Sequence, residues 1–361
     1  MRIWKRTGRP FVCLVSFAAA ATLCFAADRA ASRDARSSQL AAELRNKGWI
    51  AYSAMSGQDD WDLFLIRPDG SGRRNITKSP EYHELGVRFS PNGKKILFRR
   101  VPKTTRISHN NWGVLGQLMV ANSDGSNAQV FGGEGELPWA SWSPEGSQVA
   151  CLTKTGIEIR DLASREIIRK LDRKGIYQQL FWSPDGQWLT GPANTYGESW
   201  TVVRMNAATG EVNPVSKYQN CTPDWFPDSK RLVYSSRPAD QDDDGGLSQS
   251  SGQKPQYGWT QLWMANGDGT GRQLVYGEDG CHVYGGDISP DGKYVLFTTE
   301  SKDGGMEDAF MHVMRLPDAP AIAGKSPALR RLHPHTKNGP VLPLALGWEP
   351  HWSNGHIQGP K

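Results

Sequence analysis

One short motif comes back five times in this chain, and that recurrence constrains the fold more than any other feature. FSPNGKKILF starts at Phe89, WSPEGSQVACL at Trp142 and WSPDGQWLTG at Trp182; WFPDSKRLVYS starts at Trp225 and ISPDGKYVLFT at Ile288. Each copy has an aromatic or aliphatic residue, then Ser or a substitute, Pro, a turn signal and an apolar strand. Spacings run from 40 residues (142 to 182) to 63 (225 to 288), so the variation lies in loops. Asn-Gly and Asp-Gly accept the positive φ of a tight turn between antiparallel strands. Pro has no N–H, which suits a strand end or a sheet edge. With 39 Gly and 23 Pro among 361 residues, turns are frequent, which favours many short strands over long helices.

A second signal accompanies the units. DLFLIRPDGSGRRNIT begins at Asp62, QLMVANSDGSNAQVF at Gln117, TVVRMNAATGEVNPV at Thr201 and QLWMANGDGTGRQLV at Gln261. Each reads as strand, tight turn, strand, so one unit holds four strands, a to d. Four-stranded units at this period predict an all-β fold, a β-propeller. WIAYSA (49–54) resembles strand b with no strand a before it, and LGWEPHWSNG (346–355) resembles strand a with no strand b after it. The two chain ends therefore share a closing blade, which removes open sheet edges and brings the count to six. Residues 37–47 read as a short helix with Gly48 as its left-handed cap.

The N-terminus reads as an address. Arg2, Lys5, Arg6 and Arg9 precede an apolar run from Phe11 to Ala27, with small residues at a cut after Ala26; this is a signal-peptide pattern. Leu23 argues against lipidation of Cys24. The division is 1–26 signal peptide, 27–47 linker and short helix, 48–355 propeller, 356–361 tail. Cleavage leaves 38 basic against 37 acidic residues, a balance that gives no reason to expect nucleic acid, and no transmembrane segment in the mature chain. A periplasmic or secreted location follows; the other reading of the segment is an uncleaved membrane anchor, for which the apolar run is short. Of the remaining cysteines, Cys151 lies in an apolar strand, and Cys221 and Cys281 either pair in an oxidising compartment or stay free.

The repeat resembles that of the TolB propellers and is similar to repeats in the propellers of prolyl oligopeptidase relatives, over roughly residues 48–355. TolB carries a separate N-terminal α/β domain, whereas only about twenty residues lie between the predicted cut and the first strand. The resemblance implies a propeller, because the motif residues are structural. It does not imply hydrolysis: there is no GxSxG.

Strand order fixes two faces. The a–b and c–d turns share one face and are short. The b–c loops and d–a connections share the other, where 101–116, 193–199, 237–260 and 300–309 are long; long loops on a rigid scaffold are where binding usually sits. Trp61, Trp112, Trp200, Tyr257 and Trp259 precede or begin c strands near that face and read either as a surface for sugars or peptide or as packing between blades. The run Asp240–Gly246 reads as a solvated loop or a calcium loop. His83 and His282 occupy equivalent positions, six residues before Phe89 and Ile288. His333 and His335 form an HxH pair, which in an extended chain points both imidazoles one way; neutral imidazole is a common metal ligand. The pattern faintly resembles oligogalacturonate lyases. That resemblance implies His282, His333 and His335 as ligands of one divalent metal such as manganese, with His83 as a base or fourth ligand. Those enzymes have seven blades, and Gln where this chain has Arg330. The leading expectation is a binding scaffold without a cofactor, offering its long-loop face to an envelope protein or a glycan. The rival is a metal-dependent polysaccharide lyase or hydrolase.

Overall fold

The computed structural model describes residues 35–108, 116–134, 139–196, 200–216, 219–237, 260–278, 281–301, 305–316 and 340–353. They form six four-stranded antiparallel sheets arranged as a propeller. Numbered from the closing blade, the inner strands are Trp348–Trp352 (blade 1), Tyr82–Phe89 (blade 2), Trp139–Trp142 (blade 3), Phe181–Trp182 (blade 4), Asn220–Trp225 (blade 5) and Cys281–Ile288 (blade 6).

The repeated Ser is a turn lock. Its hydroxyl accepts the first N–H of strand b: Ser90 from Lys95 at 3.0 Å, Ser143 from Gln148 at 3.0 Å, Ser183 from Trp188 at 2.9 Å and Ser289 from Tyr294 at 2.9 Å. Each turn Gly donates its N–H back to that Ser carbonyl, as Gly93 does to Ser90 at 2.8 Å. Blade 5 keeps the backbone bond, Ser229 to Phe226 at 3.0 Å, but Phe226 has no hydroxyl to offer and is fully buried instead.

Blade 1 joins the two chain ends. Trp348–Trp352 pairs with Ile50–Met55, and the outer strands are Trp61–Ile66 and Arg74–Asn75. Ser353 Oγ accepts the Trp49 N–H at 2.9 Å, and Trp352 Nε1 donates to the Lys47 carbonyl at 2.6 Å. A helix over 35–44 seats Leu40 and Leu44 among Tyr52, Tyr294, Met311 and Trp352. The predicted cap differs. The last helical residue is Leu44, and Gly48, at φ 85°, lies beyond a turn. A Cβ on Gly48 would stand 2.8 Å from Ser353 Oγ, so close approach to the closing strand explains the glycine. No helix among the described residues is long and apolar enough to cross a membrane.

The core lies between blades rather than in one centre. Blades 1 and 2 clasp Trp49, Leu63, Leu65, Phe89, Phe98 and Met119. The c–d turn glycines set the blade spacing. At φ 86°, Gly125 of blade 2 would bring a Cβ to 1.9 Å from the Ile76 carbonyl oxygen of blade 1; Gly269 of blade 5 repeats this against Val215 of blade 4 at 2.2 Å. Gly125→Ala adds a left-handed penalty of about 1–2 kcal/mol to a clash with backbone that cannot swing away. Chemical denaturation is expected to show a loss of at least about 2 kcal/mol, against which an unchanged midpoint would remove this spacing role. Cys151, Cys221 and Cys281 are free thiols.

Candidate functional site

The residue just before the repeated aromatic points into the central channel. Around the ring these residues are His351, Arg88, Ser141, Phe181, Asp224 and Asp287, and all six line one cavity of about 400 Å³. Pro91, Pro144, Pro184, Pro227 and Pro290 of the a–b turns form its rim, and Trp142, Trp182, Trp225 and Trp352 stand in its wall. The cavity therefore opens on the short-turn face, opposite the face singled out by loop length. Its volume lies in the range of small-molecule and peptide-end pockets.

The ring is chemically uneven. Asp224 and Asp287 sit on adjacent blades and hydrogen-bond to each other. Asp224 Oδ1 accepts the Trp225 N–H at 2.7 Å, and Asp287 Oδ2 accepts the Trp352 N–H. Burial raises both carboxyls above the ordinary aspartate range, and for Asp287 the neighbouring Asp224 raises it further. The pair therefore tends to share a proton. On the next blade, His351 Nδ1 accepts the Phe89 N–H at 3.2 Å, and burial, then the Arg88 charge, keep this imidazole neutral well below its usual pKa. The Arg88 guanidinium lies 4.9 Å over Phe181 and donates to the Val87 carbonyl at 2.7 Å. Its charge pulls both aspartates down, but less than burial raises them.

Two residues earlier along the chain in each blade lies a second ring. Five of its members have positive φ: Gly86 66°, Gln179 50°, Thr222 50°, Gly285 66° and Glu349 48°. In blades 2, 5 and 6 the strand register slips at this point, so the inner strands bulge into the channel. A β-branched residue in this region costs roughly 1–3 kcal/mol and needs support. Thr222 has it: its N–H donates to Gln179 Oε1 at 2.9 Å, and its hydroxyl meets Ser235 Oγ at 2.6 Å and the Gly285 N–H at 3.0 Å. The bulge backbone is thereby wired from blade 4 through blade 5 to blade 6.

The two described histidines of the sequence reading do have equivalent places and equivalent duties. His83 Nδ1 accepts the Trp61 N–H at 3.1 Å, and His282 Nδ1 accepts the Thr260 N–H at 3.1 Å. Each ties its inner strand to the start of strand c in the preceding blade. His83 Nε2 also lies 3.1 Å from the Lys103 carbonyl and 3.2 Å from that of Thr105, so it carries the proton and donates. Both Nδ1 atoms are engaged in blade stitching. Among the described residues no three of His, Cys, Asp and Glu converge as a metal cage. Trp61 is buried, packed with Leu85, Val101 and Trp348, and Trp200 is half-buried beneath the Arg237 guanidinium at 5.5 Å. Trp112, Tyr257, Trp259, His333, His335 and the run Asp240–Gly246 lie outside the described residues.

The sequence reading missed the channel ring. Its signal was present: within an otherwise repeated unit, the position before the aromatic varies as Arg, Ser, Phe, Asp, Asp and His.

No family model and no curated protein matches the chain. Solved structures do match. TolB from Acinetobacter baumannii is 18% identical with a TM-score of 0.59, covering 85% of this chain and 66% of that one. A chain of the nidogen/laminin complex is 11% identical with a TM-score of 0.52, covering 82% of this chain and 97% of that one. An oligogalacturonate lyase from Vibrio parahaemolyticus, 13% identical, reaches 0.42 over 75% of this chain and 74% of that one, too low to carry an argument. These likenesses show the shared propeller fold; this chain spans about two thirds of the length of that TolB.

Proposed function

We propose that the chain is an exported binding scaffold whose central channel receives an extended segment of a partner protein at the short-turn mouth. The funnel carries this reading: a proline rim, an aromatic wall and a floor of unlike polar groups. A rigid apolar wall over a few convergent polar groups is the usual form of a recognition site, and the repeated turns hold the rim without loop ordering on binding. The nidogen/laminin structure supports a protein partner by analogy, since the similar chain there belongs to a protein assembly. The basic and apolar N-terminal segment supports export, and with it a partner in the periplasm or outside the cell.

A displayed peptide library, selected on the mature protein, tests this reading. Pro184 and Pro227 are exposed rim residues, so Pro184→Trp with Pro227→Trp narrows the mouth without touching the core. Selected peptides are expected to bind the parent and to lose at least about tenfold in affinity on the double variant. Peptides that bind both proteins equally would place recognition elsewhere and remove the channel from this role.

A further inference from the structure

Behind the acid pair the channel continues into a smaller cavity of about 40 Å³, which shares Asp224, Asp287, Arg88, Phe181 and His351 with the mouth. One water needs roughly 10–15 Å³, so the space suits a compact polar head. Glu349, Tyr284 and Thr298 also line it. Thr298 is 1% exposed, and its Oγ1 has no hydrogen-bond partner among the described residues. Glu349 is 9% exposed, and neither carboxyl oxygen has a hydrogen bond; its Oε2 forms a long ion pair with the buried Arg99 Nη2 at 3.9 Å. Buried oxygens left without donors are costly, and here three of them belong to residues lining one small space.

We infer that this inner cavity is a receptor for a primary ammonium group, from a lysine side chain or a free chain N-terminus of the bound segment. This deepens the channel reading and rests on it. An ammonium is compact and brings three donors and no acceptor. Asp224, Asp287, Glu349 and Thr298 bring acceptors, and the Tyr284 ring, packed 5.5 Å from Trp348, adds an aromatic surface of the kind cations favour. A hard divalent ion would want six or more oxygens.

The charge balance sets the pH behaviour. Arg88 and the neutral His351 face the acid pair within the ring, and Glu349 with Arg99 stands behind it. As the ammonium arrives, the proton shared by Asp224 and Asp287 leaves to solvent and the cation takes its place. Affinity for the amine therefore rises with pH while the amine itself stays charged. Arg88 opposes the incoming charge, so its removal tightens binding.

The test uses the mature protein and three small probes in calorimetric or NMR titrations. Acetyl-lysine methylamide presents a side-chain ammonium, alanyl-alanine amide presents an N-terminus, and acetyl-norleucine methylamide is the uncharged control. At least one amine is expected to bind about tenfold or more tighter than the control, and the one that does identifies the source. Its affinity is expected to be higher at about pH 7 than at about pH 5, to fall about tenfold in Asp287→Asn, and to rise in Arg88→Met. Arg88→Met reads a gain, which a misfolded variant cannot mimic. Equal binding of control and amines, or amine affinity indifferent to both substitutions, overturns the inference. Loss of the amine site while library peptides still need the open rim would leave the channel reading standing. Amine binding without rim-dependent peptides would do the reverse.

Discussion

Deleting residues 346–361 is expected to leave a chain that no longer folds cooperatively. The cut removes the inner strand of blade 1, Trp348–Trp352, and with it the pairing to Ile50–Met55. Trp352 is 1% exposed and Trp348 is 6% exposed. Emptying one buried aromatic site costs about 3–5 kcal/mol, and two such losses rival the whole stability of an ordinary domain, about 5–15 kcal/mol. Three further bonds go at the same time: Asp287 loses the Trp352 N–H, Lys47 its indole donor and Trp49 the Ser353 hydroxyl. The edge of Ile50–Met55 becomes open to other chains. Expression of the truncated chain is expected to give aggregated protein, or soluble protein without a cooperative melt. A cooperative melt at the parental temperature would mean that the closing strand is dispensable to the ring.

The blades were legible because their turns are chemical. A Ser hydroxyl that holds the first N–H of the next strand, a Pro and a left-handed Gly leave a spelled trace, and ring closure followed from one orphan strand at each chain end. The histidines were half legible. His83 and His282 stood out by equal spacing, but spacing cannot distinguish a metal ligand from an acceptor of a backbone N–H, and both use Nδ1 in the second way. Loop length pointed to one face of the ring while the described cavity opens on the other, because a funnel built from short identical turns has no long loop to advertise it. The inner bulges were least legible. Gly86 and Gly285 are natural left-handed residues, but Gln179, Thr222 and Glu349 adopt positive φ against their preference. Thr222 is held there by Ser235 of its own blade and by Gln179 and Gly285 of the adjacent ones, tertiary partners that a local motif does not spell out.

Glu84→Gln is expected to stabilise the protein at mildly alkaline pH and to leave it unchanged in acid. Glu84 lies on the inner strand of blade 2 and is 1% exposed. Burial pushes its carboxyl up to about 8; hydrogen bonds from Ser79 and Thr77 pull it down, and the adjacent Asp62 pushes it further up. Its cross-strand neighbour Arg100 gives no relief, since that guanidinium donates to Gln117 Oε1 at 2.8 Å and stacks on Tyr82 at 4.2 Å. Below the unfolded value near 4.5 both states hold the proton, and the contribution of the group to stability is complete. Between about 4.5 and about 8 the unfolded chain releases the proton while the folded chain keeps it, so stability falls as pH rises. Across that window the loss is on the order of 4 kcal/mol. The raised Asp224–Asp287 pair acts in the same direction, and His351, neutral when folded, acts in the opposite one as pH falls through its unfolded value. All three are common to parent and variant, so they cancel in the difference. Gln keeps the shape and the donor to Asp62 but has no proton to lose. Urea unfolding of both proteins at several pH values reads the result directly: the gap is expected near zero at about pH 4.5 and largest at or above about pH 8, whereas parallel stability curves would show that Glu84 titrates alike in the folded and unfolded chains.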